Sequence, residues 1–147
     1  MEEASLPPTY AEEISRINKL SPFAELIGIR IDKLADNYCS LKLLLADKCI
    51  NYNGGIHGGV IATLSDTCMG VALRTVGLKP LTAELTVNYL SAPRVGDELT
   101  AEGWIIHRGG TIVLTECTIK SDNSKDVARG RGIFVSRGLL ASGESNQ

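Results

Sequence analysis

The chain has 147 residues, a formal net charge of −2, 44% hydrophobic residues and 22% charged residues. This length and balance indicate one globular domain that buries about two thirds of its unfolded surface. The weakly acidic charge and the absence of a basic tract argue against binding to nucleic acid or to an anionic membrane.

The chain begins with a segment that is predicted to be helical. Residues 9–12, Thr-Tyr-Ala-Glu, have the spacing of a capping box and predict a helix from Thr9 to about Leu20, within a lead-in that covers residues 1–21. Pro22 suits the first position of a second, short helical turn. Gly28 is predicted to close that turn.

A β-hairpin is predicted next. Ile29–Leu34 and Tyr38–Leu45 are rich in strand-forming residues, and the turn-forming residues 35–37 separate them. Residues 47–55 then form a loop that is rich in Asn and Gly.

A long helix is predicted from Gly58 to about Val76. One side, at helical spacing, carries Val60, Ile61, Leu64, Cys68, Val71 and Thr75. The opposite side carries Gly59, Ala62, Asp66, Met69 and Leu73. Because both sides of the helix are mostly apolar, both are expected to be buried against another surface. The sequence therefore predicts a sheet against one side and a second surface, such as a partner subunit, against the other.

Four strands in a meander are predicted after the long helix. In the first, residues 81–89, apolar and polar residues alternate strictly, which is typical of a half-buried antiparallel strand. The other three cover residues 99–106, 112–120 and 127–136. One helix that crosses an antiparallel sheet predicts a single α+β domain over residues 1–137, followed by a flexible tail at 138–147.

The four cysteines are predicted to be reduced core residues, because none has Cys-x-x-Cys spacing, and this favours a cytoplasmic protein. They are Cys39, Cys49, Cys68 and Cys117. With only two histidines in the chain, no metal site is expected. The first residues contain neither a basic segment nor an apolar run, so neither a signal peptide nor a transmembrane segment is expected.

The start of the long helix is a candidate oxyanion site. Its first N–H groups have no helical partner and carry the partial positive charge of the helix dipole. Gly58 and Gly59 would let a carbonyl oxygen approach these amides. On composition alone, a simple turn into the helix is the better explanation of the two glycines.

Asp66 is a candidate general base or nucleophile. It lies in the middle of the helix on an apolar side, where a carboxylate is costly unless it is paired or lies in a cleft. The structural alternative is an ion pair with a neighbouring Arg or a cap on another element.

Asn51, His57 and Thr82 are candidates for supporting roles. Asn51 could donate to a carbonyl or hold a water, and His57 could act as a hydrogen-bonding or proton-transfer group. Thr82 lies on the polar side of its predicted strand and could hold a water, although an ordinary strand Thr is the better explanation when no other information is used. His107, next to a turn, is predicted to be solvated.

These residues form one motif, Asn-x-x-Gly-x-x-His-Gly-Gly with an acid nine residues after the His. Its members are Asn51, Gly54, His57, Gly58, Gly59 and Asp66. On this motif, the chain from about Phe23 to Arg137 resembles the hotdog-fold acyl-CoA thioesterases of the phenylacetate-degradation type, a family with a mammalian branch.

The resemblance implies a hotdog fold, in which an antiparallel sheet of five to six strands wraps the long helix. It implies hydrolysis of an acyl-coenzyme A without a cofactor, and homodimers whose sheets join and which pair into homotetramers. Asp66 would activate water or attack the thioester carbon, and Thr82 would help to hold the water. The Gly58 amide and Asn51 would bind the thioester carbonyl, with His57 supporting Asn51.

His57 and Asp66 point to opposite sides of the predicted helix, which favours two half-sites rather than one complete site per chain. The resemblance implies that Asn51 and Gly58 of one subunit meet Asp66 and Thr82 of another. It also implies a set of residues that contact coenzyme A. They are Gly59, Tyr89, Ser91, Arg94, Arg108, Gly109, Gly110 and Thr111. The two arginines suit phosphate groups, although solvated surface arginines explain them equally well.

Two other functions compete with hydrolysis. A hotdog hydratase or dehydratase would pair a catalytic His with a carboxylate at a different spacing, so the two glycines after His57 and the acid at Asp66 argue against it. A non-catalytic acyl-CoA sensor would lack the carboxylate. The acyl group, whether arylacetyl, benzoyl-type or medium-chain aliphatic, is not determined by the sequence.

Overall fold

The structure, a computed structural model, describes residues 12, 15, 16 and 21–139. Glu12, Ser15 and Arg16 are helical. The remainder of the helix predicted for Thr9 to Leu20, with its capping box, lies outside the described residues. So do residues 140–147 of the predicted tail.

The first described helix, α1, covers Pro22–Ile27 and confirms the predicted helical turn. Ser21 caps it, because its hydroxyl accepts a hydrogen bond from the Ala24 N–H at 3.4 Å. Gly28 ends it in the left-handed conformation, at φ +93°, and its N–H donates to two carbonyls of the helix.

The predicted hairpin is confirmed as strands β1, Arg30–Ala35, and β2, Tyr38–Leu44. Asn37 takes the left-handed conformation in the turn, at φ +64°. A short 3₁₀ turn, Asp47–Cys49, opens the loop that follows.

The long helix, α2, covers Gly58–Arg74 and is about 25 Å long. Leu64 and Cys68 are fully buried against the sheet. Met69 and Leu73, on the side predicted to need a partner subunit, are also fully buried within the single chain. That prediction is therefore wrong for these two side chains, because the curved sheet covers more than one side of the helix.

Four strands follow the helix and complete a six-stranded antiparallel sheet. They are β3 at Leu78–Tyr89, β4 at Glu98–Arg108, β5 at Ile112–Ser121 and β6 at Asp126–Leu139. The order across the sheet is β1-β2-β4-β5-β6-β3. Strands β4, β5 and β6 form the predicted meander, but β3 pairs with β6 and not with β4, so the four-strand meander is wrong.

The physical reason is the long connection at residues 90–97, which carries the chain from the outer strand β3 back to β4 in the middle of the sheet. Strands that are neighbours in the sequence often pair with each other. A connection of this length allows β3 and β4 to pair with other strands instead. At the other end, β6 extends to Leu139, which pairs with Leu78. The predicted start of the tail at Gly138 is therefore two residues early.

Strand β3 contains a bulge that interrupts the predicted alternation. Thr82 pairs with Phe134 and Glu84 pairs with Ile133, so Ala83 is an extra residue on β3. Thr82 consequently lies on the same face as Leu85, towards α2, and not on the opposite polar face that strict alternation predicts.

One core lies between α2 and the sheet, and the four cysteines are buried and free within it, as predicted. The α+β class and the hotdog arrangement, a long helix wrapped by a curved antiparallel sheet, are confirmed. Within the described part of the chain, no helix is long and apolar enough to cross a membrane.

Candidate active site

The candidate oxyanion site is the first turn of α2. His57 precedes the helix as its N-cap, its own N–H donates to the Cys49 carbonyl at 2.8 Å, and its Nδ1 accepts the Gly59 N–H at 2.8 Å. The Gly58 N–H has no hydrogen-bond partner among the described residues. This amide is therefore available to a carbonyl oxygen, and the dipole of α2 favours negative charge beside it.

Space for a side chain is limited at both glycines of this turn, and more so at Gly59 than at Gly58. A Cβ at Gly58 would lie 3.3 Å from the Tyr89 hydroxyl and 3.4 Å from its ring. A Cβ at Gly59 would lie 2.9 Å from the His57 Nδ1 that binds its amide. Gly59 thus has a local role: it allows the close approach of the imidazole that caps the helix.

Asn51 holds the loop that leads to the helix. Its Oδ1 accepts the N–H groups of Asn53 at 2.9 Å and Gly55 at 3.1 Å, and its own N–H donates to the Gly55 carbonyl at 2.7 Å. The side-chain Nδ2 is consequently the group left to donate to a substrate. No described hydrogen bond joins Asn51 to His57, so the support of Asn51 by His57 that the resemblance implied is not seen.

The carboxylate of Asp66 accepts a hydrogen bond from the Thr82 hydroxyl, with 2.7 Å between the oxygens. Asp66 is half-buried on α2, and Thr82 is exposed on β3. The bulge at Ala83 turns Thr82 towards the helix, so a residue predicted on the polar face reaches the carboxylate. The structural alternative was an ion pair between Asp66 and a neighbouring Arg. Within the described part of the chain, Asp66 instead forms this hydrogen bond with Thr82.

These residues form two groups that a single chain does not bring together. The oxyanion half-site consists of Asn51, Gly58 and Tyr89, and the carboxylate half-site consists of Asp66 and Thr82. Gly58 and Asp66 are eight positions apart on the helix, a rise of about 12 Å. Thr82 and Tyr89 pair with Phe134 and Ala128, which are six positions apart on β6, so they lie about 20 Å apart along the sheet.

The residues predicted to contact coenzyme A are divided in the same way. The Tyr89 hydroxyl donates to the Gly58 carbonyl at 2.7 Å, and the Ser91 hydroxyl donates to the Asp126 carbonyl at 2.6 Å. Arg94 is exposed in the connection that follows. These three residues lie at the end of the sheet that holds the oxyanion half-site.

The hairpin Arg108–Thr111 lies at the opposite end. Ile112, directly after it, pairs with Val135, and Val135 pairs with Leu81, next to Thr82. The Gly109 N–H donates to the Ile112 carbonyl at 2.8 Å and shapes the turn. Arg108 is exposed. The hairpin therefore accompanies the carboxylate half-site.

A pocket of about 330 Å³ opens beside the oxyanion half-site. Its lining consists of Ile56, Gly58, Ile61, Tyr89, Leu90, Ser91, Ala92 and Pro93. The sequence did not predict Ile56, Leu90, Ala92 or Pro93 as site residues. The run Leu-Ser-Ala-Pro, directly after a predicted strand, could have indicated the wall of a pocket. Both hydroxyls in the lining are bound to protein carbonyls, so the pocket offers a mainly apolar surface.

Comparison with known proteins points to one family. The family model described as thioesterase superfamily matches residues 53–128. A putative esterase of Halobacterium salinarum is 31% identical over 122 residues, which cover 74% of this chain and 80% of the relative. The acyl-coenzyme A thioesterase PaaI of Escherichia coli is 26% identical over 122 residues, covering 83% of this chain and 87% of the relative.

Solved structures agree with the fold. The E. coli PaaI protein superposes with a TM-score of 0.83 at 23% identity, covering 90% of this chain and 96% of that one. A hypothetical thioesterase from Streptococcus pneumoniae, solved with coenzyme A, superposes with a TM-score of 0.75 at 26% identity, covering 78% and 92%. That protein was also solved with an Asp and with a Thr replaced by Ala, two residues whose separation of 16 positions equals that of Asp66 and Thr82.

Proposed function

This chain belongs to the thioesterase superfamily, and we propose that it hydrolyses an acyl-coenzyme A to the free acid and coenzyme A. The observation that carries the proposal is the 2.7 Å hydrogen bond between the Thr82 hydroxyl and the Asp66 carboxylate. A carboxylate held by a hydroxyl at the edge of a sheet can take a proton from water or attack a carbonyl carbon. The Asp and Thr replaced in the S. pneumoniae protein, with the same separation, support these two roles.

The oxyanion half-site supplies the complementary chemistry. The Gly58 N–H and the Asn51 Nδ2 donate to the thioester carbonyl oxygen and stabilise the negative charge that it gains as the carbon is attacked. As a base, Asp66 removes a proton from the attacking water, which Thr82 helps to hold, and the thiolate of coenzyme A leaves with formation of the free acid. As a nucleophile, Asp66 attacks the carbon, the thiolate leaves, and water then hydrolyses the resulting anhydride to the free acid.

The distance between the half-sites calls for a second copy of the chain. About 12 Å along α2 separates Gly58 from Asp66, and one thioester group cannot contact both. Strand β3 lies at the end of the sheet and exposes Leu81, so it offers a free edge for pairing with the β3 of another copy. In the proposed homodimer, which could pair further into a tetramer, each site combines the oxyanion half-site of one chain with the carboxylate half-site of the other.

The same arrangement would unite the divided coenzyme A residues. Tyr89, Ser91 and Arg94 accompany one half-site, and the hairpin Arg108–Thr111 accompanies the other. Arg94 and Arg108 would supply positive charge for the phosphates of coenzyme A. The apolar pocket beside Gly58 suits an uncharged part of the substrate.

A panel of arylacetyl-, benzoyl- and medium-chain acyl-coenzyme A substrates, assayed for release of free thiol, tests the activity. We expect hydrolysis of at least one class, and Asp66→Asn should abolish it. Thiol release from no member of the panel would refute the proposal. Addition of water to an enoyl-coenzyme A without thiol release would favour a hydratase, and binding without turnover would favour a sensor. Incorporation of oxygen-18 under single-turnover conditions then separates a base from a nucleophile at Asp66.

Complementation tests the shared site. Asp66→Asn inactivates one half-site and Asn51→Asp impairs the other, so each variant alone should retain at most about 1% of the wild-type rate. After subunit exchange at equal concentrations, half of the dimers are mixed and each has one intact site, which predicts about one quarter of the wild-type rate. No recovered activity in verified mixed dimers would place the whole site in one chain. Cell fractionation would test the cytoplasmic location.

A further inference from the structure

Tyr89 is tied to the backbone of the oxyanion half-site. Its hydroxyl donates to the Gly58 carbonyl at 2.7 Å, and its ring lies against the Gly58 Cα, since a Cβ there would be 3.4 Å from the ring. The resemblance gave Tyr89 a role in binding coenzyme A. The structure shows that its hydroxyl is already bound to the carbonyl of Gly58, the residue whose N–H is proposed to bind the thioester oxygen.

This turn needs such a contact, because two successive glycines make the start of α2 unusually free to change conformation. The Gly59 N–H is held by His57, and the Gly59 carbonyl accepts the Thr63 hydroxyl at 2.8 Å. At Gly58 itself, Tyr89 supplies the side-chain hydrogen bond. An oxyanion donor is effective only if its direction is fixed before the reaction, so the orientation of this residue bears on the rate.

Tyr89 is suited to the task by its position in β3. It pairs with the buried residue Ala128 of β6, so it faces α2 from the last position of the strand. The strand is anchored there by the Leu90 N–H, which donates to the Val127 carbonyl at 2.8 Å. The hydroxyl that binds Gly58 is therefore carried by a part of the sheet with fixed backbone.

We propose, on the basis of the function proposed above, that Tyr89 is a positioning residue which fixes the Gly58 amide for the oxyanion. It acts through Gly58 and does not contribute its hydroxyl to coenzyme A. The pocket beside it then has a wall formed by the tyrosine ring, and the polar end of that ring is directed to the helix.

The variant Tyr89→Phe tests the proposal, because it keeps the ring against Gly58 and removes only the hydroxyl. We expect kcat for the best acyl-coenzyme A to fall about tenfold, the effect of one lost hydrogen bond at an oxyanion donor, while KM changes less than about twofold. Amide hydrogen exchange followed by NMR gives a second readout, which does not depend on turnover. We expect faster exchange in the variant at Gly59, whose N–H is hydrogen-bonded to His57 in the same turn.

Tyr38→Phe is the matched control. It also removes a 2.7 Å hydrogen bond from a tyrosine hydroxyl, to Glu102 on the outer face of the sheet, away from both half-sites. Three results would overturn the proposal. The first is an unchanged kcat and unchanged amide exchange in Tyr89→Phe, and the second is a rise in KM of that variant with unchanged kcat. The third is a loss of kcat in Tyr38→Phe that equals the loss in Tyr89→Phe. A wild-type protein that hydrolyses no acyl-coenzyme A counts against the proposed function, and the exchange rate at Gly59 still decides whether Tyr89 fixes this turn.

Discussion

Thr82 and Tyr89 lie on the same face of β3, although seven residues separate them. In a regular strand an odd separation puts two side chains on opposite faces, and the bulge at Ala83 removes this difference. Both hydroxyls consequently reach α2, where Thr82 donates to Asp66 and Tyr89 donates to Gly58, each at 2.7 Å. One strand therefore holds both half-sites against one helix.

The Thr82 hydroxyl should matter to the chemical step. Thr82→Val keeps the shape of the side chain and removes the donor to Asp66, so we expect kcat to fall about tenfold or more with little change in KM. Thr82→Ser keeps the hydroxyl and should retain most of the activity. Steady-state kinetics of the two variants make the comparison. Equal activity in Thr82→Val and wild type would show that the contact with Asp66 is structural.

The sequence predicts most of the local structure because local physics determines it. The cap at Ser21 and Pro22, the left-handed Gly28 and the start of α2 at Gly58 all depend on residues within a few positions of one another. The cap, Gly28 and the helix start agree with the structure. The motif around Asn51 and Asp66 also lies within a short stretch of sequence, and its catalytic role, which rests on the resemblance, stays a prediction.

The features that the sequence does not predict depend on distant partners. The pairing of β3 with β6 and the bulge at Ala83 arise from the fit of β3 against a strand more than 40 residues later. Without the bulge, alternation puts Thr82 on the face away from Asp66, and the link between Tyr89 and Gly58 has no sequence signal. The full burial of Met69 and Leu73 likewise depends on the curvature of the whole sheet.

The side chain of Asn51 separates the atom that holds the loop from the atom that is proposed to bind the substrate. Its Oδ1 accepts hydrogen bonds from two loop amides, and its Nδ2 is the proposed donor to the thioester carbonyl. Asn51→Asp keeps an oxygen for the loop but replaces the donor with a negatively charged acceptor, which would repel the oxyanion. We expect unchanged thermal stability and a loss of kcat of about a hundredfold. Asn51→Ala should also lower the melting temperature, and the contrast between the two variants checks the assignment. Near-normal turnover of Asn51→Asp would contradict it.

Gly130 and Ser65 set how closely α2 approaches β6 next to Asp66. A Cβ at Gly130 would overlap the Ser65 hydroxyl, which is buried and has no hydrogen-bond partner within the described part of the chain. Gly130→Ala should therefore reduce the free energy of unfolding by about 1–3 kcal/mol through overpacking. Ser65→Ala removes an unpartnered buried hydroxyl and should be neutral or stabilising by about 1 kcal/mol.

The double variant Ser65→Ala/Gly130→Ala is the decisive measurement for this pair. With the hydroxyl gone, the new Cβ would lie 3.3 Å from the Cβ of residue 65, a contact that a small shift accommodates. Urea unfolding should show that the double variant regains most of the stability lost in Gly130→Ala. Losses that simply add would mean that the two residues do not share one contact.

Stability at alkaline pH should depend on Tyr38. Burial, followed by its hydrogen bond to the Glu102 carboxylate and the charge of that group, raises the pKa of Tyr38 from 10 to about 12. Because the folded pKa lies above the unfolded one, the contribution of Tyr38 to stability is complete below pH 10 and decreases as the pH rises from 10 to 12. Tyr38→Phe should be less stable than wild type near neutral pH, and the difference in unfolding free energy should shrink across that window. Urea unfolding at several pH values measures it, and a difference that stays constant up to pH 12 would show that folding does not raise the pKa of Tyr38.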